Sequence, residues 1–132
     1  MPRPLPLVAL LPTLMLACCL LAATVQARDI DTAEARRLLE HPPAGLVVLD
    51  VRTPEEFAAG HLPGARNLDF FAPDFRQRLE ALAREKRPVL LYCRSGNRSA
   101  RACDLMRRLG MEEVLHLAPG FRAWHAAGLP EE

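Results

Sequence analysis

Two short, wholly apolar runs constrain this chain more than any other feature: Leu46-Val47-Val48-Leu49 and Val89-Leu90-Leu91-Tyr92. Four residues are too few for a helix, and the lack of a polar position suits a strand covered on both faces. Val114-Leu115-His116-Leu117 reads as a further strand, and residues 65–68 as a weaker one. Helical patterns lie between them. Asp31 and Glu34 stand three apart ahead of Ala35, Leu38 and Leu39, a capping-box pattern, and Pro42-Pro43 ends that helix. Thr53-Pro54-Glu55-Glu56 offers an N-cap, a proline at the first helical position and acids in the first turn. Residues 74–85 place Phe75, Leu79 and Leu82 on one helical face. A helix over 99–109 stops at Gly110, and Pro119-Gly120 turns into a short last helix carrying Phe121 and Trp124. This alternation predicts an α/β fold, with a mainly parallel sheet and helices on both of its faces.

In such sheets ligands bind beyond the carboxyl ends of the strands. Cys93 follows the apolar run 89–92, and the loop Cys93-Arg94-Ser95-Gly96-Asn97-Arg98-Ser99 leads into the next helix. Helix N-terminal amides lack internal partners and the helix dipole adds positive potential, so this place holds anions, a thiolate included. Gly96 permits the positive φ that a tightly curled loop needs. With the backbone curled around the sulfur, successive amides face one point and form a nest. Arg98 offers a planar fork for an oxyanion. The plainer reading of Cys93 is a buried small hydrophobe. Loop length carries a further inference. Cysteine phosphatases use Cys-x5-Arg, whereas here Arg98 falls one residue early and Cys-x5 lands on Ser99. The shorter cradle favours a compact sulfane sulfur over a phosphate ester.

The 132 residues, half of them hydrophobic, suit one small domain, and a net charge of +1 gives no electrostatic case for nucleic acid. Four cysteines, at 18, 19, 93 and 103, are too few and too irregularly spaced for a disulfide framework or a zinc site. Residues 1–27 read as a secretory signal peptide: Arg3 precedes an apolar stretch over 5–23, and Val25-Gln26-Ala27 puts small residues where a signal peptidase cuts. An uncleaved membrane anchor over 5–25 and lipidation at Cys18 or Cys19 are the rival readings. Cleavage after Ala27 leaves a domain of residues 28–132 with a formal charge of zero, expected in the periplasm or secreted.

Three ordered motifs resemble the rhodanese family of sulfurtransferases. They are Val48-Leu49-Asp50-Val51-Arg52-Thr53-Pro54-Glu55-Glu56-Phe57 with Gly60-His61-Leu62-Pro63-Gly64-Ala65, the loop over 92–101, and Pro119-Gly120 with Ala123-Trp124 and Ala127-Gly128-Leu129-Pro130. The resemblance spans essentially all of 28–132; Pro119 departs from it, since many members carry Gly there. It implies a three-layer rhodanese-like fold with about five strands. It also implies ping-pong catalysis. Cys93 would take a sulfane sulfur from thiosulfate as a persulfide and yield it to cyanide or a thiol. Arg94, Ser95, Gly96, Asn97, Arg98 and Ser99 would bind the substrate, the two arginines drawing in its sulfonate. Neither metal nor organic cofactor is implied. This reading admits a protein partner in a sulfur relay, and a sulfur carrier without turnover is the alternative. A cysteine phosphatase or arsenate reductase is the remaining one.

The other residues divide as follows. Asp50 and Arg52 end a neighbouring strand and are candidates for supporting the loop. Their plainer reading is structural, Asp50 bonding loop backbone and Arg52 pairing with Glu55 or Glu56. His61 reads as a turn residue rather than a base. Cys103, with its sulfur on the order of 10–15 Å from that of Cys93, reads as helix core. Phe121 and Trp124 read as core too.

Overall fold

The computed structural model describes residues 1–3 and 27–132. Residues 4–26, which hold Cys18, Cys19 and nearly all of the segment read as a signal or anchor, lie outside the described residues. In chain order the elements are β1 (Arg28–Ile30), α1 (Thr32–Glu40), β2 (Val47–Asp50), α2 (Pro54–Ala58), β3 (Arg66–Asn67), α3 (Phe75–Arg84), β4 (Val89–Tyr92), α4 (Asn97–Arg108), β5 (Val114–Leu117) and α5 (Gly120–Ala126). The strands form one five-stranded sheet in the order β1-β5-β4-β2-β3, and every neighbouring pair is parallel. The two wholly apolar runs, β2 and β4, lie side by side in the interior of the sheet, as continuous apolarity requires.

Side chains alternate across the sheet, so β2, β4 and β5 each feed two cores. On one face Val47, Leu49, Val89 and Leu91 pack with Phe75, Leu79 and Leu82 of α3 and Ala102 and Met106 of α4. On the other, Val48, Leu90, Tyr92 and Leu117 pack with Ala35 of α1, Trp124 of α5 and Leu62. The helix starts follow the local sequence. Asp31 Oδ1 accepts the Glu34 amide at 2.8 Å, but the Glu34 carboxylate turns to Arg28 at 2.7 Å instead of closing a full capping box. At α2 the box is complete: Thr53 and Glu56 each accept the other's amide.

Two boundaries and one element differ from expectation. The weak strand over 65–68 shrinks to two residues. Helix α4 begins at Asn97 rather than 99, because Gly96 at φ +96° reverses the chain early. Strand β1 has no counterpart in the sequence pattern. It is a short edge strand paired only with β5, so backbone hydrogen bonding holds it without any apolar pattern of its own.

Trp124 is fully buried, with its indole N–H donated to the Pro130 carbonyl at 2.8 Å. Trp124→Ala is expected to cost about 3–5 kcal/mol of unfolding free energy, read as a lower urea midpoint.

Candidate active site

The alternation of β4 continues one residue past its end, so Cys93 shares a face and a core with Val89 and Leu91. The chain then curls through Arg94 and Ser95 to Gly96, and α4 starts. Two glycines make this curl possible. Gly96 has positive φ, and a Cβ there would sit 2.3 Å from the Ala118 carbonyl oxygen. Gly120, at φ +73°, lies against the loop from the other side, where a Cβ would meet the Arg94 carbonyl oxygen at 2.3 Å. The Phe121 amide donates to the Cys93 carbonyl at 2.8 Å and the Arg122 amide to the Arg94 carbonyl at 3.0 Å. Loop carbonyls are thus tied to α5, which leaves the loop amides to face the sulfur.

Cys93 Sγ accepts the Gly96 amide at 3.1 Å and the Ser99 hydroxyl at 3.2 Å. Burial, the largest single influence, pushes the thiol up. The Ser99 hydroxyl and the amides of Ser99, Ser95 and Gly96 together outweigh it, and the net shift is downward. The site therefore favours a thiolate held in the loop at the N-terminus of a twelve-residue helix.

The remaining loop residues separate. Ser99 is buried and touches the sulfur; Arg94, Ser95 and Asn97 are exposed. Arg94 enters no ion pair among the described residues. The loop position of Arg98 predicts a reach for substrate beside Arg94, but its guanidinium is turned to α2. It makes a bidentate pair with Glu56 at 2.7 and 2.8 Å, and its Cζ lies 5.9 Å from the ring centroid of exposed Phe71. The physical reason is geometric: a fork fits a carboxylate in two parallel bonds, and α2 presents one.

Asp50 and Arg52 are almost wholly buried and satisfy each other. Arg52 Nη2 lies 2.6 Å from Asp50 Oδ2 and also donates to the Gly60 carbonyl at 2.6 Å. Its Cζ stacks 4.1 Å from the Phe121 ring centroid. Asp50 Oδ1 accepts the Arg52 amide at 2.8 Å, as a loop-bonding aspartate should. The expected partners of Arg52, Glu55 and Glu56, are not used. A carboxylate as buried as Asp50 needs an adjacent cation, and Arg52 is within reach two residues away. His61 stacks on Phe57 with centroids 3.8 Å apart and bonds the Phe57 carbonyl through Nδ1 at 3.0 Å, the arrangement of a turn residue. Cys103 is buried and free, its thiol pushed up to about 11 by burial and by the carboxylates of Asp29 and Asp104.

Two residues at the site do not stand out in the sequence. His116, buried in β5, reaches Ser99 Oγ through Nε2 at 2.7 Å and Asp29 Oδ1 through Nδ1 at 2.8 Å. The available signal is a lone polar side chain in a buried strand, which must find partners. Asp29 carries no signal, since it belongs to the unexpected β1. Among the described residues no group of three or more His, Cys, Asp or Glu is placed to hold a metal.

The Glu56–Arg98 pair has a pH signature. Hydrogen bonding from Arg98 holds Glu56 down at about 2 from an ordinary 4.5, with burial opposing and Thr53 assisting. A lowered carboxylate stabilises the fold above its ordinary pKa and loses that contribution as pH falls through the lowered one. Glu56→Gln is therefore expected to lower stability by about 1 kcal/mol near neutral pH. The gap from wild type in urea midpoint should narrow below pH 4.5 and close near pH 2.

Comparison with known proteins places these features. The rhodanese-like domain family model matches residues 31–127. A Bacillus subtilis protein, YqhL, described as uncharacterized, is 40% identical over 77 residues, covering 58% of this chain. The chain spans 59% of that relative's length. An Allochromatium vinosum protein named sulfurtransferase is 38% identical over 85 residues, covering 64% of this chain and 77% of its own. Among solved structures, a rhodanese-related protein from Thermoplasma volcanium superposes with a TM-score of 0.68 at 27% identity, covering 80% of this chain and 97% of its own.

Proposed function

Because the chain belongs to the rhodanese-like family, we propose that it is a sulfurtransferase working through a persulfide on Cys93, with thiosulfate or a similar small anion as donor. The observation that carries this reading is the sulfur itself, which accepts the Gly96 amide and the Ser99 hydroxyl in the curled loop at the head of α4. The sulfurtransferase name of the Allochromatium relative supports it.

The steps balance without a cofactor. The Cys93 thiolate attacks the outer sulfur of thiosulfate, the S–S bond breaks, and sulfite leaves with the bonding pair. Cys93 then carries a terminal sulfur with one negative charge. Cyanide or a thiolate attacks that terminal sulfur, and the Cys93 thiolate departs with the electron pair. The loop donors stabilise the thiolate as nucleophile and as leaving group, so one cradle serves both halves of the cycle. Exposed Arg94 is placed to attract the donor anion, with Arg98 committed to Glu56. That commitment also weighs against the phosphatase reading, which needs an arginine fork over the phosphate.

We assign residues 1–27 to a secretory signal and the domain to the periplasm or the outside of the cell, with an anchor over 5–25 as the alternative. Under cleavage after Ala27 the mature chain opens directly on β1.

The test is thiocyanate formation from thiosulfate and cyanide. Cys93→Ser is expected to lower it about a thousandfold or more. Intact-mass spectra after thiosulfate should show one added sulfur, lost on treatment with thiol. Persulfide without turnover would replace this reading with a sulfur carrier. Activity surviving in Cys93→Ser would overturn both.

A further inference from the structure

We propose that His116, held by Asp29, is a positioning residue for Cys93, setting the direction of the Ser99 hydroxyl proton and exchanging a proton with the sulfur through it. The proposal rests on Cys93 as the sulfur-carrying nucleophile. Four side chains from three separate stretches form an unbroken chain: Asp29 Oδ1 to His116 Nδ1 at 2.8 Å, His116 Nε2 to Ser99 Oγ at 2.7 Å, and Ser99 Oγ to Cys93 Sγ at 3.2 Å. The sheet makes this possible. Asp29 and His116 are register partners across β1 and β5, and His116 pairs in register with Leu91, two residues before Cys93 on the same face of β4.

The Ser99 hydroxyl has one proton and three acceptors within reach: Cys93 Sγ, His116 Nε2 and the Gly96 carbonyl at 3.1 Å. His116 decides among them. When neutral, with its proton on Nδ1 toward Asp29, its Nε2 takes the Ser99 proton, and Ser99 Oγ accepts from a Cys93 thiol. When the thiol proton passes to Ser99 Oγ and the Ser99 proton to Nε2, the result is a thiolate and an imidazolium. Nε2–H then donates to Ser99 Oγ, and the serine proton turns to the charged sulfur, a stronger acceptor than the Gly96 carbonyl. One net proton has moved from sulfur to imidazole, and no heavy atom has shifted. The same chain restores the thiolate whenever Cys93 takes up a proton between turnovers.

The surroundings contain little that competes. On the α4 side lie Cys103, its thiol pushed up to about 11, then Asp104 paired with Arg107. Arg98 acts on Cys93 at longer range but is neutralised by Glu56. Asp29 is 74% exposed whereas His116 is 6% exposed, so water weakens the outer link more than the inner one.

The test reads the Cys93 thiol without requiring sulfur transfer. The rate of iodoacetamide alkylation of the peptide carrying Cys93 is followed against pH in the folded chain. His116→Leu is expected to raise the midpoint by roughly one pH unit, a tenfold loss of thiolate at a given pH below it. Asp29→Asn, at an exposed position, should raise it by about a third of that. His116→Gln, whose amide can donate to Ser99 Oγ, should recover part of the loss. A merely structural histidine would leave the midpoint of a folded variant unmoved, and that result would overturn the proposal. If His116→Leu fails to fold, an unchanged midpoint in Asp29→Asn overturns it equally. Shifted midpoints in a chain that forms no persulfide would sink the sulfurtransferase reading alone.

Discussion

A seam of backbone contacts between the Cys93 loop and the start of α5 holds the site together. The Phe121 and Arg122 amides bind the carbonyls of Cys93 and Arg94, and Gly120 and Gly96 remove the two Cβ atoms that would keep the two sides of this seam apart. Once those carbonyls are tied outward, the loop turns its amides and the Ser99 hydroxyl to the sulfur. Reactivity at Cys93 thus depends on a turn beyond α4 and β5, through contacts that involve no reactive side chain.

Charge around the loop is arranged so that little of it is loose. Asp50 and Arg52 neutralise each other in the interior and brace the Gly60 turn and Phe121. Glu56 and Arg98 do the same nearer the surface, joining α2 to α4. Both pairs fix elements that flank the loop, so they contribute geometry more than field. The local field at the sulfur comes from hydrogen-bond donors at contact distance, which a low-dielectric interior strengthens and which need no reorganisation during reaction.

Much of this is legible in the order of residues alone. Cys93 at a strand end, Gly96 within the loop and Ser99 at the helix start are neighbours in sequence, and short-range spacing carries their meaning. The buried strands β2 and β4 announce themselves by unbroken apolarity. The caps Asp31 and Thr53 do so by the residues that follow them. Residue order misleads on side-chain direction. Arg98 looks like a substrate ligand because it sits in the loop, and Arg52 looks like a partner of α2. In each case the carboxylate that fits the guanidinium in space decides the matter: Asp50, next but one in sequence, for Arg52, and Glu56, on a distant helix, for Arg98.

By itself the sequence determined the α/β alternation, the strand that delivers Cys93 and the short loop that cradles it, since each depends on residues within one or two turns of chain. Only the tertiary structure decided that β1 exists, that β5 lies between β1 and β4, and that His116 and Asp29 therefore stand in line with Ser99 and Cys93. Strand order is set by how two helical layers and two cores close over the sheet. No spacing between residues 29, 93, 99 and 116 encodes it, so a hydrogen-bond chain across three strands and a helix appears only when the sheet is assembled.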